Sequence, residues 1–259
     1  MDALNPIFLV LIVAAGLAGM IDAVVGGGGL VQIPALFTAF PGQDPATLFG
    51  TNKCASIFGT GNAAWRYSRR IVLPWRTILP AALAAFLLSY AGAAVVDYLP
   101  RHAVRPLILL LLIFAAVYTW QRRDFGQSHQ PTHSGHREWL YATLLGGAIG
   151  FYDGFFGPGT GSFLIFLFVR FFGFDFLHAS ASSKWVNVAT NLAALAYFVP
   201  AGQIMLSLGL LMAAANIIGS MIGIRLALRY GSGFIRQVFL VLAGVLILRF
   251  AWDTLTYHG

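Results

Sequence analysis

Gly16-Leu-Ala-Gly19-Met-Ile-Asp22-Ala-Val-Val-Gly26-Gly27-Gly28-Gly29-Leu30 is an apolar helix that carries one acid and is then broken by four consecutive glycines. The pattern returns in Gly147-Ala-Ile-Gly150-Phe-Tyr-Asp153-Gly-Phe-Phe-Gly157-Pro158-Gly159. Paired positions are separated by one constant shift, 153 − 22 = 131 residues, which also relates Gly16 to Gly147, Gly26 to Gly157 and Gly28 to Gly159. The same shift of 131 places Phe40 on Phe171, Gly42 on Gly173, Asp44 on Asp175, Lys53 on Lys184, Ser89 on Ser220, Gly92 on Gly223 and Arg105 on Arg236. No gap is needed from Gly16 to Leu111. Leucines match by chance in apolar sequence; glycine, aspartate and lysine in one register do not. The chain is duplicated.

Composition sets the solvent. The 259 residues are 58% hydrophobic and 10% charged, with a mean hydropathy of +0.77. A soluble domain carries about a quarter charged residues, and one bilayer crossing takes about 20 apolar residues. The fold class is therefore an all-α polytopic membrane protein, with residues 1–120 as a first membrane repeat, 121–138 as a polar cytoplasmic linker and 139–259 as a second repeat. Each repeat offers five apolar segments, about 4–25, 28–40, 46–65, 75–97 and 103–120, then about 139–156, 159–174, 180–199, 204–224 and 234–252. The second and third of each set are short or rich in small and polar residues, so broken or re-entrant helices are expected there, at the glycine motifs. The linker, rich in Gln, His, Ser, Pro and Gly, reads as a mobile tether. Asp2 in place of a basic n-region, and an apolar segment running straight into the repeated motif, argue against a cleaved signal peptide. The single cysteine, Cys54, excludes an intramolecular disulfide.

Five segments per repeat is an odd number, so the second repeat is expected to enter the membrane upside down. The arginines agree. With the linker in the cytoplasm, Arg66, Arg69, Arg70, Arg76, Arg122, Arg123, Arg137, Arg170, Arg225, Arg229 and Arg236 fall inside, against Arg101, Arg105 and Arg249 outside. This positive-inside bias accounts for the pI near 9.9 without nucleic acid, and puts both termini outside. The predicted architecture is two inverted-topology repeats.

Asp22 and Asp153 are the acids of otherwise apolar helices, and a charge at membrane depth costs about 2.5–3.5 kcal/mol on insertion scales. Such a group is paired or functional; the alternative is an acid that caps the helix following the glycines. Gly26, Gly28, Gly157 and Gly159 allow unwound backbone whose N–H groups, with the N-terminus of the next helix, suit an anion; glycines also serve simple close packing, the reading given to Gly92. Lys53, beside Asn52, and Lys184, beside Ser182 and Ser183 and one turn before Asn187, place one cation among hydroxyls and amides at matching positions. Two lysines brought together by a twofold axis attract an anion; two lysines near an interface simply snorkel. Pairing of Asp22 with Lys53 and of Asp153 with Lys184, each inside its own repeat, would lower the burial cost. Asn191, Asn216, Gln32 and Gln203 also need partners.

Other chemistries find little support. His129, His133 and His136 lie in the linker and read as a solvated tract, so no metal site is expected. Ser162 after Gly161 lacks a base in the same repeat's membrane segments, since His178 falls at a loop. The glycine runs are not embedded in a strand–helix nucleotide unit. No enzyme activity and no cofactor are expected.

The repeated motif, together with Thr51-Asn52-Lys53 and Ser182-Ser183-Lys184, resembles the TauE/SafE family of prokaryotic-type permeases, often called sulfite exporters, over nearly the whole chain apart from the linker. The resemblance implies a multi-pass carrier of the cell (inner) membrane, taking small sulfur-containing or organic anions such as sulfite or sulfonates, coupled to protons or sodium. Its members differ in substrate and direction. Pro158 and Thr160 stand where the first repeat has Gly27 and Gly29, so the two half-sites are not expected to be equivalent. The competing readings are an anion channel and a carrier of a different small carboxylate or metabolite; oligomeric state is not set by the sequence.

Overall fold

A computed structural model describes residues 6–96, 126–132 and 134–256, and these residues are helical with no strand among them. The helices are α1 (Pro6–Val25), α2 (Gly29–Ala39), α3 (Pro45–Ser68), α4 (Trp75–Ala94), α5 (Gly135–Phe155), α6 (Thr160–Phe172), α7 (Phe176–Phe198) and α8 (Leu206–Thr256). The fifth apolar segment of the first repeat, about 103–120, lies outside the described residues. The duplicated register reappears in the helix starts: 160 − 29, 176 − 45 and 206 − 75 all equal 131. The last two segments of the second repeat are not separated by the expected gap over residues 225–233. They run together in α8 and part only at Gly231, whose φ of 67° and ψ of −161° interrupt the helix.

α2 and α6 have 11 and 13 residues, about 16–20 Å at 1.5 Å per residue, so neither crosses a ~30 Å hydrocarbon core. α2 folds back along α1: Ile7, Val10 and Ala14 line one apolar groove with Val31, Pro34 and Thr38. The third segments correct the expectation. α3 and α7 are unbroken helices of 24 and 23 residues. Their polarity does not mark a break. Thr51, Asn52, Lys53 and Thr60 on α3, and Ser180, Ser182, Ser183, Lys184, Asn187 and Thr190 on α7, are all buried. These are the central helices, and their polar groups face protein.

Large apolar residues also cover the outside. Leu9, Val10 and Val13 on α1, Leu79, Leu83 and Leu87 on α4, and Ile218 and Ile222 on α8 are exposed, at the three- and four-residue spacing of one helix face. In water such a surface would be an aggregation liability; in lipid it is the solvated face.

The repeats interlock. α1 packs along α8 and α5 packs along α4, so the first helix of each repeat lies on the fourth helix of the other. Both contacts run parallel. A Cβ at Gly16 would touch Ala215, one at Gly19 would overlap Asn216, and one at Gly223 would overlap Met20. In the other pair Gly146, Gly150 and Gly154 lie against Ala81, Ala85 and Ser89. α3 runs parallel to α8, since Thr51 Oγ1 accepts from Met205 N at 2.9 Å and Asn62 Nδ2 donates to Ser220 Oγ at 2.7 Å. α3 and α7 run antiparallel, with Gly50 against Phe198 at one end and Trp185 Nε1 donating to Ser68 Oγ (2.9 Å) at the other.

The part of the linker that the structure describes is docked, not a loose tether. Phe176 N donates to Gly126 O (2.8 Å), Gln130 N to Gly173 O (2.8 Å) and Thr132 N to Phe172 O (3.1 Å).

Close backbone approach is the packing rule between these helices. Adding a side chain at Gly219, whose Cβ would overlap Gly16 O, or at Gly154, whose Cβ would overlap Ser89 O, forces the helices apart. Gly219→Leu and Gly154→Leu are each expected to lower the melting temperature in detergent, with overpacking costing about 1–3 kcal/mol or more. Gly244→Leu, where a Cβ meets nothing within 4 Å, should change stability by less than about 0.5 kcal/mol.

Candidate functional site

α1 ends inside the protein. A helix leaves its last four carbonyls without intrahelical partners, and at membrane depth water does not supply donors. All four are met by side chains. Lys184 Nζ donates to Asp22 O, which also accepts from Gly26 N at 2.8 Å. Tyr67 Oη donates to Ala23 O (3.0 Å), Ser180 Oγ to Val24 O (2.8 Å) and Ser162 Oγ to Val25 O (2.7 Å). Three of these four donors come from the second repeat. Ser162, adjacent to a glycine, is thus a cap and not a nucleophile.

The two glycine breaks meet. Gly26 has a φ of 74° and Gly157 a φ of 92°, left-handed backbone that β-carbon-bearing residues rarely adopt. A Cβ on either Gly26 or Gly161 would overlap the other residue's backbone. Gly29, at the start of α2, lies against Pro158, with 3.5 Å from its Cβ position to Pro158 Cα. The N-termini of the short helices α2 and α6 therefore begin at one common contact, each with its positive dipole end. The breaks differ in detail: Gly28 is right-handed (φ −57°) and Gly159 left-handed (φ 82°). Gly28 is wedged against Asp22, 2.9 Å from its Cβ position to Asp22 Cβ, whereas Gly159 faces Leu30 and Phe163 at 3.5–3.6 Å.

Both lysines are buried and both find acids, but the partners are exchanged relative to the expectation from sequence. Lys53 Nζ lies 2.7 Å from Asp153 Oδ2, with both side chains 5% exposed. Lys184 Nζ lies 3.5 Å from Asp22 Oδ1, whose other oxygen accepts from Thr60 Oγ1 at 3.0 Å. Pairing within each repeat is thus corrected to pairing across the repeats. The reason is geometric: α3 and α7 pass antiparallel, so each lysine is carried to the first helix of the opposite repeat. The snorkelling alternative fails for the same reason, since a lysine with 0–5% exposure does not reach an interface.

The other sequence-singled residues distribute around these pairs. Gly157 adjoins the Lys53–Asp153 pair, with 3.2 Å from its Cβ position to Lys53 Nζ. Asn187 Nδ2 lies 2.9 Å from the Cβ position of Gly161, beside the crossing of the breaks. Asn52 Oδ1, Asn187 Oδ1 and Ser182 Oγ are buried with no hydrogen-bond partner among the described residues, while Ser183 Oγ bonds back to Ser180 O at 2.7 Å. Gln32 ties this region to α8, its Oε1 accepting from Asn216 Nδ2 at 3.1 Å. Tyr67, Thr60 and Ser180 were missed by the sequence reading. The signals that point to them are the α1 carbonyls to be capped, for Tyr67 and Ser180, and the Asp22 carboxylate, for Thr60.

The two half-sites are built differently. Under the shift of 131, Tyr67, Ser180 and Ser162 correspond to Phe198, Phe49 and Val31, which have no donor to give. At the end of α5, Tyr152 O accepts from Phe156 N (2.8 Å) and Gly157 N (3.2 Å), Tyr152 Oη donates to Pro158 O (2.6 Å) and Thr160 Oγ1 to Gly157 O (2.8 Å). The first break is held mostly by the opposite repeat; the second is held by its own residues.

Comparison with known proteins places this architecture. The family described as sulfite exporter TauE/SafE matches residues 11–250. The "Probable membrane transporter protein ORF9" of a Sinorhizobium species is 35% identical over 243 residues, 94% of this chain and 92% of the relative. The "Probable membrane transporter protein YfcA" of Escherichia coli K12 is 32% identical over 266 residues, covering the whole chain and 96% of the relative. A "Probable membrane transporter protein" of Haemophilus influenzae is 30% identical with full coverage of both. No solved structure matches the chain.

Breaking one member of a buried ion pair leaves the other uncompensated, at about 3–5 kcal/mol. Lys53→Met is accordingly expected to destabilise the protein strongly. The double variant Lys53→Met/Asp153→Leu should recover most of that loss, and melting of the three proteins in detergent makes the comparison.

Proposed function

The chain belongs to the sulfite exporter TauE/SafE family, a family of membrane transporters, and from that premise we propose that it is a secondary carrier of a small oxyanion, of the sulfite or sulfonate type, coupled to protons or sodium. The observation that carries the reading is the Lys53–Asp153 pair, buried at 5% exposure beside the glycine break. A cation sits where two short-helix N-termini converge, and both features favour negative charge. Asn187 beside the crossing, with Asn52, Ser182, Ser183 and the glycines Gly26, Gly28, Gly157 and Gly159, would supply the uncharged contacts. Three of these groups, Asn52 Oδ1, Ser182 Oγ and Asn187 Oδ1, have no hydrogen-bond partner among the described residues.

The mechanism follows from competition. Each lysine is neutralised by a carboxylate, so a substrate anion must displace that carboxylate or meet it protonated. Protonation of Asp153 releases Lys53 to an anion, and loss of the proton restores the pair and expels the anion. This links proton and anion movement in one direction. In the other pair Asp22 is also fixed by Thr60 and by the capped end of α1, so Lys53–Asp153 is the working pair and Lys184–Asp22 the anchored one. Alternating access would arise from rocking of the two inverted repeats about the crossing of the breaks, in a bacterial inner membrane with the linker in the cytoplasm and both termini outside.

Proteoliposomes test this. Uptake of sulfite or a short sulfonate should saturate and should respond to an imposed proton or sodium gradient. Lys53→Gln should abolish uptake, and Lys184→Gln should reduce it less. Unchanged affinity for sulfite, sulfonates and short carboxylates in both lysine variants would overturn the anion assignment, and large unitary currents would replace the carrier by a channel.

A further inference from the structure

The cluster outside the membrane-facing machinery joins the linker to the start of α7. The rings of His129 and His178 stack with centroids 4.0 Å apart and 28° between planes. His178 Nδ1 lies 2.8 Å from Asp175 Oδ1. One ligand atom from each of the three residues lies within 4.8 Å of the others. We propose that His129, Asp175 and His178 form a binding site for a divalent transition-metal ion of the zinc class, which fastens the linker to the first turn of α7.

Two imidazoles and one carboxylate are the donor set that suits zinc and its neighbours, with a fourth position for water. Asp175 is fixed before any metal arrives, because Oδ1 also accepts from His178 N at 2.7 Å as the N-cap of α7. Its second oxygen has no protein partner among the described residues. In its Nε2–H tautomer His178 turns the Nδ1 lone pair toward Asp175 Oδ1, 2.8 Å away, so an ion seated between these two atoms replaces the hydrogen bond and takes both as ligands. On the other side, His129 is held by its neighbours: Gly126 O accepts from Phe176 N and Gln130 N donates to Gly173 O, each at 2.8 Å. The two strands of chain are thus already side by side. Spacing among the linker histidines could not reveal the site, since the partners of His129 lie 175 − 129 = 46 and 178 − 129 = 49 residues further on.

The position gives the ion something to regulate. Lys184 lies six residues after His178 on the same helix, about 9 Å along its axis. A metal crosslink at the first turn would restrain α7 relative to the connection between the repeats. This inference rests on the cluster alone and stands whether or not the substrate is an anion.

The test uses the untagged full-length protein in detergent, titrated with Zn²⁺ by calorimetry and with Co²⁺ by visible ligand-field absorption. One ion per chain is expected, with affinity weakened by about tenfold or more in His129→Ala and His178→Ala. Asp175→Asn keeps an N-cap acceptor and should weaken binding as well. His136→Ala, in the first turn of α5 and outside the cluster, should bind as the unaltered protein does. His129 is exposed, so its replacement leaves helix packing intact and a loss of binding there reports the ligand itself. Absence of stoichiometric binding at micromolar Zn²⁺, unchanged affinity in the His129 and His178 variants, or an equal loss in His136→Ala would each overturn the proposal.

Discussion

The end of α1 inside the protein is the constraint from which the rest of the architecture follows. Four carbonyls and one carboxylate stop at a depth where lipid offers no donors, and an unsatisfied polar group there costs several kcal/mol. Tyr67 of α3, Ser162 of α6, and Ser180 and Lys184 of α7 answer them. Because these donors come mostly from the second repeat, neither repeat can satisfy its polar groups alone. The repeats are halves of one folding unit, and the swapped Lys–Asp pairs state the same dependence in charge.

Lipid provides no hydrophobic drive to bring helices together, so close packing and polar contacts have to do it. The interlocking of α1 on α8 and of α5 on α4 shows how. Glycines and alanines at three- and four-residue spacing let backbones touch, while leucines of the same helices turn outward. Apolar side chains both fill the interior and cover the outside, and glycines serve the packing of helices as well as the breaks that create helix ends.

Duplication makes the two halves alike, and substitution has made them unequal. Where the first break is tied by hydroxyls and an ammonium, the register of the second repeat offers Phe198, Phe49 and Val31, whose side chains carry no donor. A carboxylate held by several donors is hard to move; one held by a single lysine is easier to exchange. The asymmetry thus separates a fixed half from a responsive one without any difference in overall fold.

Much of this was legible in the residues. Composition fixed the solvent, and the shift of 131 placed three of the four helix starts of the second repeat on those of the first. The glycine runs marked where helices end, and Asp22, Lys53, Asp153 and Lys184 stood out because charge in apolar sequence must be accommodated. Family membership followed from the same motif. Yet the partner of each charge did not follow. Sequence proximity suggested Asp22 with Lys53, while the antiparallel passage of α3 and α7 delivers each lysine to the other repeat. Nor could pattern alone show that the polar helices α3 and α7 are whole and central, that Tyr67, Thr60 and Ser180 cap or orient α1, or that His129 meets Asp175 and His178. Local sequence determines where a helix starts, stops and turns its apolar face, because those depend on neighbours three and four residues away. Which donor meets which acceptor depends on contacts between residues more than a hundred positions apart, and only the packed tertiary structure decides those.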